Sequence, residues 1–190
     1  MYHIHRTMLF ITLAILLQIQ LVLAANDREN ALYPDFARLT AEYGYDFETY
    51  QVKTEDGWHL TLFRIKGNID LHSSEEHQHK LPLLMVHGAI DSAFGFISRG
   101  IFGKVWTLQM LEKGYDVWLH NARGVTYSDK NDKDGEWSLN ERWSFTWADM
   151  GYYDLPASID KIIEVTLAPK VTVIGHSMGT SQMLYALAKR

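Results

Sequence analysis

A chain of 190 residues that is 47% hydrophobic and 13% aromatic has enough apolar material for one globular domain with a buried core, and its composition is far from that of a disordered segment. Its formal net charge is -5 and it has no basic block, so nothing points to nucleic acid or an anionic membrane surface as partner. The absence of cysteine excludes disulfides, thiolate metal sites and a cysteine nucleophile.

At the N-terminus, His3, His5 and Arg6 precede an apolar run from Met8 to Leu23 that closes on Val22-Leu23-Ala24-Ala25. This pattern predicts a secretory signal peptide over residues 1–24, cleaved after Ala24, with residues 25–190 as the mature domain. The run is interrupted by Gln18 and Gln20 and falls short of the ~20 apolar residues of a spanning helix.

Residues Ala31 to Tyr50 are aromatic-rich without a clean period and read as a short helix or loop leading into a sheet. Tyr50–Thr54 and Trp58–Ile65 alternate as strands, and Glu55-Asp56-Gly57 between them carries an Asp-Gly turn signal, so a β-hairpin is expected. Lys66 to Lys80 gathers His72, Glu75, Glu76, His77 and His79. Without apolar periodicity it reads as a solvated loop rather than a metal site.

Leu81–Val86 is a near-continuous apolar run ending at His87-Gly88-Ala89, the pattern of a strand buried on both faces that finishes in a ligand-facing loop. Val105, Leu108, Gln109 and Leu111 mark a helix ending at Lys113-Gly114, and Tyr115–Leu119 is the next buried strand. Asn121-Ala122-Arg123-Gly124 leaves that strand as a loop, and Asp129–Glu136 is polar enough to be expected at the surface. Trp137, Trp143, Phe145 and Trp147 suit core packing better than a lipid-facing surface. Thr146 with Asp149 resembles a capping box, and after Asp154 a helical stripe runs from Leu155 to Leu167 until Pro169.

The last segment carries the chemistry. Val171–Ile174 is a β-branched run that breaks at Gly175-His176-Ser177-Met178-Gly179 and continues as an apolar helix through Met183, Leu184, Leu187 and Ala188. A serine on a tight strand-to-helix turn needs residues without bulk two positions before and after it, which is the spacing of a nucleophile elbow. The helix that starts at Met178 then directs its amides and positive end toward a developing oxyanion. In this elbow His176 reads as a packed residue. The element order gives an α/β class with a largely parallel sheet.

Together, Tyr-x-Val-x-Thr-x-Asp-Gly-x-x-Leu from Tyr50, His87-Gly88, Gly114–Leu119, Asn121-x-Arg123-Gly124, Tyr153–Ala157 and Gly175-His176-Ser177-x-Gly179-Thr180 resemble the gastric and lysosomal acid lipases. The resemblance covers Tyr33 to the C-terminus. It implies the N-terminal part of an α/β-hydrolase fold, ending shortly after the elbow. It also implies a secreted or lysosomal enzyme that hydrolyses neutral lipid esters, triacylglycerols or sterol esters, at a lipid interface through an acyl-serine, without cofactor or metal.

Carried over to this sequence, the resemblance makes Ser177 the nucleophile and the backbone N–H groups of Ala89 and Met178 the oxyanion hole. The family usually has a bulky aliphatic residue at Ala89, Gln at Met178 and Gly at His120. Its acid and histidine follow the serine, yet the 13 residues after Ser177 contain no His, Asp or Glu. The triad's acid and base are therefore not supplied in that order, and His59, His87 and His120 would serve as base only on a rearranged fold. By itself the chain is expected to turn over poorly. The competing expectation is a non-catalytic secreted lipid-binding or interaction protein on a hydrolase scaffold.

Overall fold

A computed structural model describes residues 11–20, 30–68, 80–98 and 105–190. The expected cleavage site after Ala24 and the histidines at 72, 77 and 79 lie outside these residues. The chain divides into two units, Met1–Arg38 and Leu39–Arg190. Residues 11–20 of the first unit are helical. No described helix is long and apolar enough to cross a membrane.

Helix α1 (Pro34–Glu42) leads to the hairpin of β1 (Tyr45–Lys53) and β2 (Trp58–Asn68), which pair antiparallel from Lys53↔His59 onward. The Asp-Gly signal is met: Gly57 has φ +91 and its amide donates to Thr54 O. Strand β3 (Pro82–Val86) is buried at every position, as its unbroken apolar run requires. It leads through α2 (Ala93–Ile97) and α3 (Trp106–Glu112) to β4 (Asp116–Leu119).

A two-residue strand, β5 (Lys130–Asn131), then pairs with β2, so the segment expected at the surface buries Asn131. Pairing to the hairpin is what draws that side chain inward. The short helix α4 (Leu139–Arg142) follows. α5 (Trp147–Asp149), a π turn (Met150–Asp154) and α6 (Leu155–Thr166) then run as one helix. The helix thus starts at the Thr146/Asp149 capping box, with Thr146 N–H donating to Asp149 Oδ2 at 2.7 Å, and not after Asp154. The π turn inserts an extra residue and interrupts the 3.6-residue period by which the helix start is recognised.

Finally β6 (Thr172–Gly175) enters α7 (Met178–Lys189). The strand order is β1-β2-β4-β3-β6, with β3 parallel to both β4 and β6 and β5 paired to β2. The carboxyl ends of β3, β4 and β6 therefore lie side by side, and their following loops converge. The aromatic segment divides. Trp137 and Phe145 pack against the buried Trp58 ring, whereas Trp143 and Trp147 are about half exposed.

Candidate active site

The turn after β6 is strained where a nucleophile would stand. Ser177 has φ 51 and ψ −119, a left-handed conformation that costs a non-glycine residue of order 1–3 kcal/mol and is held by its surroundings. Three backbone hydrogen bonds hold it: His176 N to Val86 O at 2.9 Å, Gly179 N to His176 O at 2.8 Å and Thr180 N to Ser177 O at 2.9 Å. Thr180 Oγ1 also donates to Gly175 O at 2.8 Å. The two glycines are steric requirements. A β-carbon at Gly175 would lie 2.7 Å from Gly179 O, and one at Gly179 would lie 2.4 Å from Val86 O.

Ser177 is exposed at the top of the sheet. His176, expected to pack, is exposed as well, because the turn throws both side chains outward beyond the edge strand β6.

The loop after β3 approaches from the neighbouring strand. A β-carbon at Gly88 would stand 3.1 Å from Ser177 Cβ and 3.2 Å from His176 Nδ1, so this position too must lack a side chain. Neither Ala89 N–H nor Met178 N–H has an acceptor among the described residues. Among the described residues, an amide in the loop after β3 and one in the turn after β6 thus have no acceptor, a condition that an oxyanion hole sets for its donors. Immediately after Ala89, Ile90 is fully exposed with φ 57, a strained conformation for a β-branched residue that reverses the chain into α2. The loop is secured beyond the turn by Asn121 Oδ1, which accepts Ala93 N–H at 2.9 Å.

Among the described residues the side chain of Ser177 makes no hydrogen bond, and His59, His87 and His120 are each engaged elsewhere. His59 Nε2 meets Asp132 Oδ1 at 2.8 Å on the surface. His87 has both ring nitrogens engaged, Nδ1 with Gly88 O at 2.8 Å and Nε2 with Ala122 N–H at 3.0 Å, and burial lowers its pKa. His120 is fully buried, with Nδ1 3.1 Å from Ser158 Oγ and Nε2 without a partner. Burial, reinforced by His87 and Arg123, pushes it down to about 3, so its ring is neutral.

Behind these loops lies an ion-pair network that the sequence marked only as motif residues. Arg123 Nε and Nη2 donate to Asp154 Oδ1 at 2.8 and 2.6 Å, and Arg123 N–H donates to Asp154 Oδ2 at 3.0 Å. Its other edge meets Asp56 of the hairpin turn at 2.5 and 2.9 Å. The guanidinium lies 5.4 Å from the Trp58 ring centroid and 5.6 Å from that of Tyr153. One arginine thereby joins the hairpin turn, the loop after β4 and the π turn. Gly124 lets the aromatic segment approach, since a β-carbon there would meet Phe145 at 2.6 Å. The sequence signal for this network was the three motifs that supply its members, Asp-Gly, Asn-x-Arg-Gly and Tyr-Asp.

The family of the chain follows from its similarity to known proteins. The α/β hydrolase fold family model matches residues 81–190, and that of the partial α/β-hydrolase lipase region matches residues 36–100. Lipase 1 of Drosophila melanogaster is 38% identical over 153 residues, covering 80% of this chain and 32% of the relative. Gastric triacylglycerol lipase of Rattus norvegicus is 35% identical, with 77% and 36% covered. Lysosomal acid lipase/cholesteryl ester hydrolase of Homo sapiens is 33% identical, with 76% and 35% covered. The chain therefore spans about a third of the length of these relatives. Among solved structures, an esterase of Pyrococcus furiosus superposes with a TM-score of 0.51 at 17% identity, over 79% of this chain and 49% of the esterase, a likeness of fold alone. With its elbow, its parallel strands and a family model covering more than half of its residues, the chain belongs to the α/β-hydrolase family, among relatives that include the gastric and lysosomal acid lipases.

Proposed function

We propose that this chain carries the nucleophile half of a secreted or lysosomal hydrolase of neutral lipid esters, of the triacylglycerol or sterol ester class. The observation that carries the proposal is Ser177, strained at φ 51 and exposed, close to Gly88, with Met178 N–H and Ala89 N–H lacking an acceptor among the described residues. Ser177 Oγ adds to the ester carbonyl carbon while a base takes its proton. The carbonyl oxygen becomes an oxyanion held by the two amides, and collapse breaks the bond to the leaving oxygen, which takes the base's proton and departs as the alcohol, leaving an acyl-serine that water then hydrolyses to the fatty acid and free Ser177. The rat and human relatives, a triacylglycerol lipase and a cholesteryl ester hydrolase, support the lipid ester class. The apolar run up to Ala24 supports entry into the secretory pathway, with residues 1–24 as signal peptide.

The test is fluorophosphonate labelling, with peptide mapping, of protein expressed from the complete open reading frame in which these residues occur. The expected adduct is on Ser177 and is absent from Ser177→Ala. An adduct on another serine with Ser177 untouched overturns the assignment, and no adduct at all favours the non-catalytic lipid-binding reading. The 190-residue chain alone, with no imidazole bonded to Ser177 Oγ among the described residues, is expected to fall short of a complete triad by about 10⁴-fold or more in kcat.

A further inference from the structure

We infer that His87 is a positioning residue that aims the Ala89 N–H, by clamping the Gly88 carbonyl on one side and the Ala122 N–H on the other. The inference rests on the reading of Ala89 as an oxyanion donor.

The Gly88 carbonyl and the Ala89 N–H belong to one peptide plane. No peptide bond in the described chain is cis, so the two groups point in opposite directions, and whatever fixes the oxygen fixes the hydrogen. Gly88 has the freest backbone of any residue type, and Ile90 beyond it is strained. The orientation of that plane is therefore not set by local preference and needs an external restraint. His87 Nδ1, 2.8 Å from Gly88 O, provides it.

The ring's proton placement follows from its other contact. Ala122 N–H, 3.0 Å from Nε2, can only donate, so Nε2 must be bare. The single proton of the neutral ring then sits on Nδ1 and is donated to Gly88 O. The ring is buried and stacks on the neutral His120 ring at 6.1 Å, an environment that opposes a second proton. Charged and titratable groups near it are Asp91 in its own loop, the buried His120 ring after β4, and His176, whose Nδ1 lies beside Gly88.

Ala122 is itself held from both sides. Asn121 Nδ2 donates to Thr61 O at 2.9 Å, and Arg123 is tied to Asp154 and Asp56. The rigid hairpin and π turn thus reach the oxyanion loop through one imidazole.

The test is ¹⁵N NMR, at neutral pH, of the protein expressed from the complete open reading frame in which these residues occur. His87 is expected to show a protonated, pyrrole-type Nδ1 and a bare, pyridine-type Nε2, and a proton on Nε2 overturns the clamp. His87→Asn places an amide donor where Nδ1 stands and is expected to keep the residual dipolar coupling of Ala89 N–H. His87→Gln reaches only the Nε2 position and is expected to lose it. A merely space-filling role would rank the longer Gln first, so an unchanged coupling in His87→Gln also overturns the inference. If neither variant folds, the tautomer in the unsubstituted chain decides. Ser177 labelling with the proton on Nε2 fails the clamp alone, whereas an unlabelled Ser177 with the proton on Nδ1 fails the hydrolase reading and leaves His87 as the anchor of the loop.

Discussion

A β-carbon on Gly179 would stand 2.4 Å from the carbonyl oxygen of Val86 and 2.7 Å from that of His87. Both obstacles are backbone, at the buried end of β3, so neither can swing aside as a side chain would. Gly179→Ala is expected to destabilise the fold by about 3 kcal/mol or more, at the upper end of overpacking costs. Gly67→Ala, whose added methyl would meet nothing within 4 Å, is the control and should move the urea midpoint little. Equal midpoint shifts for the two variants would show that β3 and α7 are not in this close contact.

The Arg123–Asp154 pair predicts a second, separate sensitivity. Both residues are buried, and Asp154 accepts three hydrogen bonds from Arg123. Asp154→Asn leaves the buried guanidinium with Asp56 as its remaining carboxylate partner among the described residues, so it is expected to cost about 1.5–3 kcal/mol, the worth of hydrogen bonds to a charged group. Arg123→Lys should also be costly despite keeping the charge, because an ammonium cannot bridge Asp154 and Asp56 with a planar fork. Urea denaturation of the three proteins checks both statements, and a near-neutral Arg123→Lys would contradict the second.

Legibility in the sequence followed how each element is stabilised. Strands β3 and β4 and the hairpin were readable because burial writes itself as apolar runs and alternation, and the elbow because its glycines stand at fixed offsets from Ser177. β5 was hidden: two polar residues have no period, and Asn131 is buried only because β2 accepts the pairing. The five-residue α2, with Gly95 inside it, has too little length for a helical pattern. The π turn broke the period across Met150–Asp154, although the Thr146/Asp149 capping box marked the true helix start. The polar residues that support the site, His87, Asn121 and Asp154, were legible only as motif members. Their burial depends on partners distant in sequence, 35 residues away for His87 and Ala122 and 31 for Arg123 and Asp154.

Exposed apolar surface at β6 and α7 predicts association of the 190-residue chain. Among the described residues β6 is an edge strand paired only to β3, and it carries no charge, proline or bulge to protect its free side. On α7, Leu184 is 58% and Leu187 76% exposed, so the helix offers an apolar patch beside that edge. Light scattering is expected to find oligomers at concentrations where Leu184→Lys/Leu187→Lys remains monomeric. A monodisperse, monomeric unsubstituted chain would contradict the prediction.

Acid should act on this fold through buried groups of opposite sign, His120 and with it His87 on one side and Asp154 on the other. His120 lies fully buried with Nε2 unpartnered, and burial lowers it to about 3 from an ordinary 6.5. The unfolded ring binds the proton more tightly, so the contribution of His120 is fully present above about 6.5 and is lost as pH falls toward 3. At pH 4.5 the loss is about 2–3 kcal/mol. Asp154 works the other way. Burial raises its carboxyl from 3.8 to about 6 against the pull of Arg123, so its contribution is fully present below 3.8 and is lost as pH rises through about 6. His120→Asn, whose amide can still donate to Ser158 Oγ, removes the effect of His120 and leaves those of His87 and Asp154. Relative to pH 7.5, it is expected to be more stable at pH 4.5 than the unsubstituted chain by about 2–3 kcal/mol. Asp154→Asn, whatever its absolute cost, should instead steepen the acid loss. Urea midpoints of the three proteins at the two pH values measure this, and a His120→Asn profile parallel to that of the unsubstituted chain would show that His120 is not buried as a neutral ring.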